Sequence, residues 1–430
     1  MATLLIIADD FTGALDTGVK FAASGASVQV VTDYEYEFGQ TSEAVQVLVM
    51  DAETRHISSS EAYDRVYRIV QKAKQAGIAY IYKKTDSALR GNIGSELSAV
   101  LDASGSRVLH FLPAFPKMGR TTRQGIHYID GVPVTESVFG KDPFEPVTRS
   151  DIAEMIADQS RVPVMVVTDG QVMAAQEQPV IAVYDAETDE ELQSLAVKLS
   201  TAGQLTTIAG CAGMAETLPE LLGLTGPAPS IPDFTPGFLV ACGSVNPITR
   251  GQLDRAEQNG FKRIRLTPPQ KLETGYFETE MGRAKVRELI ETVRGCPLCI
   301  LDTNDLPGGQ GESETIAYAR EHGISLDELR VRIATTLGYL VKKLVDGGVK
   351  RTMLITGGDS LLGFMNQIQV YEMTPICEMA PGTVLSRFEI HGRSYEVISK
   401  SGGFGGEGLL SELAEKIMEG KEEINYVNQL

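Results

Sequence analysis

Short apolar runs alternate with amphipathic segments along the first half of the chain. Residues 61–75 carry apolar side chains at helical spacing and lead into an apolar run at residues 78–82. Helices are also predicted at residues 13–23, with Thr12 as the N-cap, and from residue 95. Further predicted strands are residues 2–7, 28–32, 45–50, 108–112, 163–167, 180–184 and 205–209. Such an alternation of strands and helices predicts a largely parallel sheet flanked by helices.

A proline-rich segment divides the chain. Residues 226–237 contain four prolines and show no helical period, which is typical of a stiff linker. Beyond it, a strand, a small-residue loop and a helix occur three times, with strands at residues 238–242, 352–355 and 395–399 and helices from residues 248, 361 and 409. The sequence therefore predicts an α/β fold with two domains, each with a largely parallel sheet flanked by helices. The predicted domains are residues 1–228 and 237–430, and the linker is residues 229–236.

A dense group of polar side chains follows the predicted strand at residues 78–82. Its members are Lys83, Lys84, Thr85, Asp86 and Arg90. Gly91 and Gly94 come directly after them and let the backbone approach a ligand closely. In open α/β sheets, ligands bind at the carboxyl ends of the strands. The pattern therefore favours a substrate site over an ordinary solvated loop.

Two further strand ends carry charged side chains. Asp9 and Asp10 follow the first strand, and because successive strand residues face opposite ways, only one of them is expected to enter the site. Arg55 follows the third strand, where its planar fork can hold a carboxylate through two hydrogen bonds. The alternatives are helix capping for the aspartates and a surface salt bridge for the arginine. A loop at residues 113–123 is expected to wall the same cleft, ahead of a hairpin at residues 130–131.

Small residues fill the three loops that follow the C-terminal strands. The residues singled out there are Ser244, Thr356, Gly357, Gly358, Asp359, Ser360, Lys400, Ser401, Gly402 and Gly403. Such loops present unpaired backbone N–H groups and the positive end of a helix dipole to an anion. Three of them in one domain predict a polyphosphate site.

Motif spacing narrows the choice of nucleotide. The sequence contains no GxxxxGK[ST] motif, so a Walker A loop is excluded. Residues 403–408 satisfy GxGxxG, but a dinucleotide fold needs a further strand and an acidic residue about twenty positions later. Only the tail to Leu430 follows the last predicted helix. A nucleoside triphosphate is therefore favoured over a dinucleotide.

Composition and charge limit the partners. The chain has 430 residues, of which 43% are hydrophobic and 22% are charged, as in a globular protein. Its formal net charge of −18 disfavours nucleic acid and anionic membranes, and no apolar run approaches the ~20 residues of a membrane span. Neither a signal peptide nor, among five cysteines, a disulfide framework or metal module is evident. We expect a cytoplasmic protein with small-molecule partners; the sequence leaves the association of identical subunits open.

Six motifs in order along the chain resemble those of the four-carbon acid-sugar kinase family: ADDFTGA at 8–14, KTDSALRGN at 84–92, PAFP at 113–116, GS at 243–244, TGGD at 356–359 and KSGGFG at 400–405. The resemblance runs nearly end to end. It implies an N-terminal domain that binds a sugar acid and a C-terminal domain that binds ATP. It also implies phosphorylation of the 4-hydroxyl of D-threonate, D-erythronate or a 3-oxo-tetronate.

Two segments bear on the choice among these acids. GKDPFEPV at residues 140–147 looks more like the D-threonate kinases than the 3-oxo-tetronate kinases. Lys117 and Met118 stand where a Glu-Asn-like pair is expected in other members. The resemblance therefore favours D-threonate, with 4-phospho-D-threonate as product, and leaves the exact acid open.

The chemistry of the expected reaction assigns roles to the polar groups. A tetronate is a carboxylate with several hydroxyls, and the predicted substrate-binding residues are Asp10, Arg55, Lys83, Lys84, Thr85 and Asp86. Arg55 and Lys84 suit the carboxylate, and Asp10 suits a hydroxyl. Asp86 is the first candidate for the base that accepts the hydroxyl proton, with Asp10 second, and Arg90 is expected to steady the phosphoryl group. Mg²⁺ is expected on the ATP phosphates, with Asp359 as a candidate ligand.

Two other classes of protein remain open from the sequence. A sugar-acid dehydrogenase would use the C-terminal glycines to bind NAD. A sugar-acid sensor would bind the acid and turn over no ATP, although no DNA-binding motif supports that class.

Overall fold

The structure is a computed structural model that describes residues 2–142, 146–227, 229–306 and 313–419. The chain forms two compact units, one of Met1–Pro229 with Glu372–Pro375 and one of Ser230–Tyr371 with Ile376–Leu430. Residues 143–145 of the GKDPFEPV motif and the tail that bears on the dinucleotide argument lie outside the described residues. No helix in the described ranges is long and apolar enough to cross a membrane.

The strands of the first unit are β1 (Leu4–Ala8), β2 (Val28–Val31), β3 (Val47–Asp51), β4 (Tyr80–Lys84), β5 (Val108–Leu112), β6 (Arg120–Arg123), β7 (Ile126–Ile129), β8 (Val132–Pro133), β9 (Val164–Val167), β10 (Val180–Tyr184) and β11 (Thr207–Gly210). Its helices are α1 (Phe11–Ala23), α2 (Ser59–Gln75), α3 (Ile93–Ser104), α4 (Ile152–Ala157), α5 (Asp189–Thr201) and α6 (Ala212–Leu221). The order β2-β3-β1-β4-β11-β5-β10-β9 defines a parallel sheet, and β6, β7 and β8 form a small antiparallel one.

Strand register brings the polar segments of the first unit to one edge of its sheet. Ala8 at the end of β1 pairs with Asp51 of β3 and with Lys84 of β4. Lys84 in turn pairs with Gly210 of β11. The residues of β1 are all buried, as expected for a strand covered on both faces. The segments after β1, β3 and β4 therefore begin at the same level, where parallel sheets bind ligands.

The strands of the second unit are β12 (Phe238–Cys242), β13 (Lys262–Arg265), β14 (Leu298–Asp302), β15 (Thr352–Thr356), β16 (Glu372–Ala380), β17 (Thr383–Ile390) and β18 (Arg393–Lys400). Its helices are α7 (Pro247–Gln258), α8 (Pro268–Leu272), α9 (Glu280–Gly295), α10 (Glu314–Glu321), α11 (Leu326–Asp346), α12 (Gly358–Ile368) and α13 (Leu409–Glu419). The strand order is β13-β14-β12-β15-β18-β17-β16; the first five run parallel and β17 is antiparallel to β18.

The second unit also aligns the ends of its parallel strands. Cys242 at the end of β12 pairs with Asp302 of β14 and Thr356 of β15. Thr356 pairs with Lys400 at the end of β18. The three small-residue loops therefore leave the sheet side by side. The predicted α/β fold with largely parallel, helix-flanked sheets is confirmed.

Three element boundaries differ from the prediction and matter for the sites. The helix predicted from residue 13 with Thr12 as its cap begins at Phe11, and the Asp10 carboxylate is the cap. β4 ends at Lys84 rather than at residue 82, because the backbone of both lysines pairs with β1 and β11. α12 begins at Gly358 rather than at residue 361.

Candidate active site

Arg55 joins the two aspartates that follow β1. Its Nε and Nη2 lie 2.8 and 2.7 Å from Asp9 Oδ2, and its Nη1 lies 2.7 Å from Asp10 Oδ2. Asp10 Oδ1 accepts a hydrogen bond from the Gly13 N–H at 2.8 Å. Asp10 has left the strand and caps α1; the expectation that only one of the two aspartates enters the site stays a prediction. The Arg55 fork is thus directed at protein carboxylates.

Asp86 is held by Arg90 through both carboxylate oxygens. Arg90 Nε donates to Oδ2 and Nη2 donates to Oδ1, each at 2.9 Å. The backbone N–H groups of Ala88 and Arg90 donate to Oδ2 at 3.2 and 3.3 Å. Arg55 Nη2 lies 3.5 Å from Oδ1 and so links Asp86 to the pair of aspartates after β1. The geometry brings Asp10, Arg55, Asp86 and Arg90 into one charged cluster.

Burial and the surrounding cations act in opposite directions on these carboxyls. Burial would raise the pKa of Asp86, but Arg90, Arg55 and Lys84 together hold its pKa well below the usual value. Burial likewise opposes ionisation of Asp10, and Arg55 and Lys84 outweigh it and lower the pKa of Asp10. Both carboxyls are therefore ionised at neutral pH.

Lys84 presents a buried ammonium group to these aspartates. Its side chain is almost fully buried, and its charge lowers the pKa of both Asp10 and Asp86. Within the described ranges, Lys84 Nζ makes no hydrogen bond and no ion pair at contact distance. A Cβ atom on Gly13 would lie 2.5 Å from Asp10 Oδ1 and 2.9 Å from Lys84 Nζ, so a larger residue there would displace these side chains. Lys84 thus combines burial, charge and free hydrogen-bond donors.

Lys83, which was predicted to bind the substrate, lies on the other side of β4. Its Nζ lies 2.7 Å from Glu96 Oε2 of α3 and donates to the carbonyl oxygens of Ile7 and Lys84 at 3.1 and 2.6 Å. Its side chain is fully buried. Because successive strand residues face opposite ways, Lys83 and Lys84 cannot both enter the site. The assignment of Lys83 to the substrate is therefore corrected to a core ion pair.

Thr85 lies directly after the end of β4, next to Lys84. Its N–H donates to the Gly210 carbonyl at 2.8 Å, which extends the pairing of β4 with β11. Its hydroxyl is buried and has no hydrogen-bond partner among the described residues. A role of Thr85 in binding the acid stays a prediction.

The small antiparallel sheet contacts the segment that follows β4. Sequence reasoning missed this contact. His127 Nε2 lies 2.9 Å from the Ser87 carbonyl oxygen. Burial lowers the pKa of His127 to about 4, so its ring is neutral at pH 7 and donates this hydrogen bond. Arg90 and Arg120 lie over the same Phe139 ring, with their Cζ atoms 5.2 and 5.9 Å from its centroid. The predicted hairpin and cleft-wall loop were the only sequence signals for these contacts.

A cavity of about 290 Å³ opens beside Arg55 and Arg90. Its other polar lining groups are Asn92, Thr148, Arg149, Asp158 and Gln159. Neither Lys84 nor the aspartates described above line it. The charged cluster, rather than the volume of this cavity, therefore identifies the candidate acid site.

Lys117, one of the two residues that depart from the family pattern, faces α6. Its Nζ lies 2.9 Å from Glu216 Oε2, and Glu216 Oε1 lies 2.9 Å from Lys20 Nζ. The Lys117 side chain is half exposed. Lys117 thus joins Lys20 of α1 and Glu216 of α6 in one ion-pair network.

The second candidate site lies at the ends of β12, β15 and β18. Gly357 adopts a φ of 100°, and its N–H donates to the Lys400 carbonyl at 3.3 Å. A Cβ atom there would lie 3.3 Å from Ser244 N, and one on Gly402 would lie 2.6 Å from Ser244 Oγ. The three predicted loops therefore touch one another, and the positive φ at residue 357 favours glycine there.

Lys400 lies beneath these loops. Its side chain is fully buried, and its Nζ donates to the Ser401 carbonyl at 3.0 Å and to Thr249 Oγ1 at 3.2 Å. Burial lowers the pKa of Lys400 to about 8. Asn304, which sequence reasoning missed, donates to the Ser244 carbonyl at 3.1 Å. No periodicity or motif in the sequence marks Asn304.

The residues predicted after β15 form the start of α12. Gly358, Asp359 and Ser360 lie in its first turn, and the buried Thr356 hydroxyl has no partner among the described residues. Asp359 Oδ2 lies 3.2 Å from Arg330 Nη1. Over the described ranges, no group of three or more His, Cys, Asp or Glu side chains is placed to hold a metal ion.

Comparison with known proteins defines the class. The chain matches a sugar-binding N-terminal domain over residues 4–218 and a nucleotide-binding C-terminal domain over residues 239–410. These two domains, together with relatives named as kinases of four-carbon acid sugars, show that the protein is a phosphotransferase. More narrowly, the chain belongs to the four-carbon acid-sugar kinase family.

Relatives named for three substrates match nearly the whole chain. It is 28% identical to a D-threonate kinase of Salmonella typhimurium, over 95% of this chain and 97% of that protein. It is 27% identical to a 3-oxo-tetronate kinase of Pseudomonas fluorescens, over 94% and 95% of the two chains. It is also 27% identical to a D-erythronate kinase of Heliobacterium modesticaldum, over 84% of each.

Two solved structures share the fold. A Salmonella typhimurium protein superposes with a TM-score of 0.75 at 21% identity and covers 96% of this chain and 99% of its own. A Haemophilus influenzae protein superposes with a TM-score of 0.65 at 20% identity and covers 96% of this chain and 100% of its own. At these identities the likeness concerns the fold alone.

Proposed function

We propose that the enzyme transfers the γ-phosphoryl group of ATP to the 4-hydroxyl of a four-carbon sugar acid, with D-threonate as the favoured acceptor. A 3-oxo-tetronate and D-erythronate are the alternatives. The names of the three relatives support this range of acids, and their identities of 27 to 28% do not rank its members.

The position of Lys84 carries the proposal. Its buried ammonium group has no hydrogen-bond partner among the described residues and stands beside the Asp10 and Asp86 carboxylates. A ligand with one carboxylate and several hydroxyls complements this arrangement, because the carboxylate accepts from Lys84 and the hydroxyls donate to the aspartates. Arg55 contributes by fixing the aspartates rather than by gripping the acid.

We assign the proton acceptor to Asp10 ahead of Asp86. Arg55 and Thr12 hold Asp10 Oδ2, but Asp10 Oδ1 accepts from the uncharged Gly13 N–H, whereas the Arg90 guanidinium holds both oxygens of Asp86. The 4-hydroxyl oxygen forms the new bond to the γ-phosphorus, the bond to the β–γ bridging oxygen breaks, ADP leaves, and the hydroxyl proton passes to Asp10. Because the pKa of Asp10 is lowered, its carboxylate is ionised at neutral pH and can accept this proton while it orients the hydroxyl.

We place the ATP phosphates against the loops of the second unit. The N–H groups of its glycine-rich loops and the ammonium group of Lys400 suit an anionic chain. Mg²⁺ commonly binds through one or two protein carboxylates together with phosphates and water, and Asp359 at the start of α12 offers one. When bound, Mg²⁺ would neutralise charge on the phosphates.

A substrate screen tests the proposal. Purified enzyme is supplied with ATP and Mg²⁺ and with D-threonate, D-erythronate or a 3-oxo-tetronate, and ADP formation and the phosphorylated acid are measured. ADP formation that depends on one of these acids is expected, with the highest kcat/KM for D-threonate. In a parallel assay with NAD in place of ATP, NAD reduction that depends on one of these acids would indicate a dehydrogenase. Binding of the acid without ADP formation would indicate a sensor.

A further inference from the structure

The glycine-rich loop after β18 is held to helix α7 through its carbonyl groups. Gln252 Nε2 donates to the carbonyl oxygens of Phe404, Gly405 and Gly406, each at 3.0 Å. Thr249 Oγ1 donates to the Gly402 carbonyl at 2.8 Å. A run of carbonyl groups is thus held by two side chains of one helix.

Thr249 and Gln252 are built for this contact. They lie three positions apart on α7 and therefore share one face of the helix. Both side chains are buried, at 1% and 0% exposure. A reversed Gln252 amide would set its oxygen against three carbonyl oxygens, so the hydrogen bonds fix its orientation. In this orientation Gln252 Oε1 is buried and has no hydrogen-bond partner among the described residues, which is unfavourable for stability.

Holding the carbonyl groups of the loop also determines what its backbone N–H groups can bind. In the described part of the chain, the N–H groups of Gly402, Gly403 and Gly405 donate to no protein acceptor. A carbonyl oxygen facing a phosphate would repel it, whereas successive free N–H groups form a concave anion site. Because side chains of α7 bind the carbonyl groups of the loop, the N–H groups of the loop are left to bind the ligand.

We propose that Gln252 and Thr249 are positioning residues of the nucleotide site. They hold the glycine-rich loop with its N–H groups directed at the phosphate chain and touch no part of the nucleotide themselves. The inference rests on the proposed function, because it takes the ligand of these loops to be a nucleotide polyphosphate.

Affinity for nucleotides with and without phosphates tests this role. In Gln252→Leu, the side chain keeps a similar size and loses its donors, so ADP should bind about tenfold or more weakly by calorimetry. Adenosine should bind as it does to the wild type, because it has no phosphate for the loop to hold. In kinetics, KM for ATP should rise and KM for the acid should stay within twofold. Gln258→Leu makes the same change at an exposed position of α7 and should alter nothing.

Gln252→Glu adds a second, nearly isosteric variant with a pH signature. Its carboxylate would face three carbonyl oxygens and repel them, whereas a protonated carboxyl can still donate one hydrogen bond. ADP affinity should therefore improve as the pH falls from 8 to 6, relative to the wild type. Thr249→Val removes the other donor and should weaken ADP in the same selective way.

The outcomes separate this inference from the proposed function. If the wild type binds ADP and the folded Gln252 and Thr249 variants bind it equally well, the positioning role is overturned and the kinase assignment stands. An equal loss for ADP and adenosine would also overturn it, since that indicates general damage. If the wild type binds no ADP, the proposed function itself fails.

Discussion

The Arg90 guanidinium and the Asp86 carboxylate face each other across two hydrogen bonds of 2.9 Å. With two backbone donors on the same carboxylate, Asp86 is a fixed counter-charge with little room for another proton. Among the described residues, Asp10 Oδ1 accepts only from the Gly13 N–H, while Arg55 and Thr12 hold Oδ2. This difference separates the two aspartates that the sequence offers as bases.

Asp10→Asn should lower kcat by roughly 10²–10⁴-fold, the usual contribution of a general base, and leave KM for ATP unchanged. The fold should survive, because asparagine caps a helix as well as aspartate does. Steady-state kinetics beside a thermal melt would measure both effects. Near-normal kcat in the folded variant would remove Asp10 as the proton acceptor.

Asp86→Asn should chiefly destabilise the protein. Arg90 would lose its carboxylate partner in a mostly buried setting, at a cost of about 3 kcal/mol in the free energy of unfolding by urea. Because the pKa of Asp86 is lowered on folding, its stabilisation should be present above pH ~4 and be lost as the pH falls further. A stable Asp86→Asn protein with a larger kcat loss than Asp10→Asn would return the base to Asp86.

Lys84→Met keeps the apolar stem and removes the ammonium group. KM for the acid should rise by roughly tenfold or more while KM for ATP stays constant. Lys72→Met is the matched control, because Lys72 pairs with Glu37 on the surface of the same unit. An unchanged acid KM in the Lys84 variant would contradict the proposed carboxylate contact.

Arg55→Lys keeps one charge and loses the fork. A lysine cannot hold Asp9, Asp10 and Asp86 at the same time, so the melting temperature should fall and kcat should fall with it. Thermal melts and kinetics on the same preparation would show this. A raised acid KM with an unchanged melting temperature would instead mean that Arg55 grips the substrate carboxylate directly.

Lys400 should make nucleotide affinity depend on pH. Its pKa is lowered to about 8, so its ammonium charge is lost as the pH rises from 7 to 9, and ADP should bind more weakly over that range. Stability should move the other way and rise from pH ~8 to ~10.4, because the unfolded chain still holds the proton there. Lys400→Arg should flatten the affinity profile. A wild-type affinity that is constant from pH 7 to 9 would exclude a Lys400 contact with the phosphates.

The linear sequence was sufficient for the fold class and for the segments that carry the chemistry. Buried strands such as β1 read as continuous apolar runs, and helices such as α2 show a clear period, so local patterns predict both. Charged residues at strand ends and glycines after strands then point to ligand sites, because parallel strands end at one edge of a sheet.

Only the tertiary structure decided which side chains of each segment face a candidate site and which pack in the core. Adjacent Lys83 and Lys84 have the same chemistry, but the pleat of β4 sends Lys83 to Glu96 and Lys84 towards Asp10 and Asp86. Gln252 bears no sequence signal at all, since its partners lie more than 150 positions away. Such roles follow from long-range packing, which places a side chain against carbonyl groups that no local pattern can foresee.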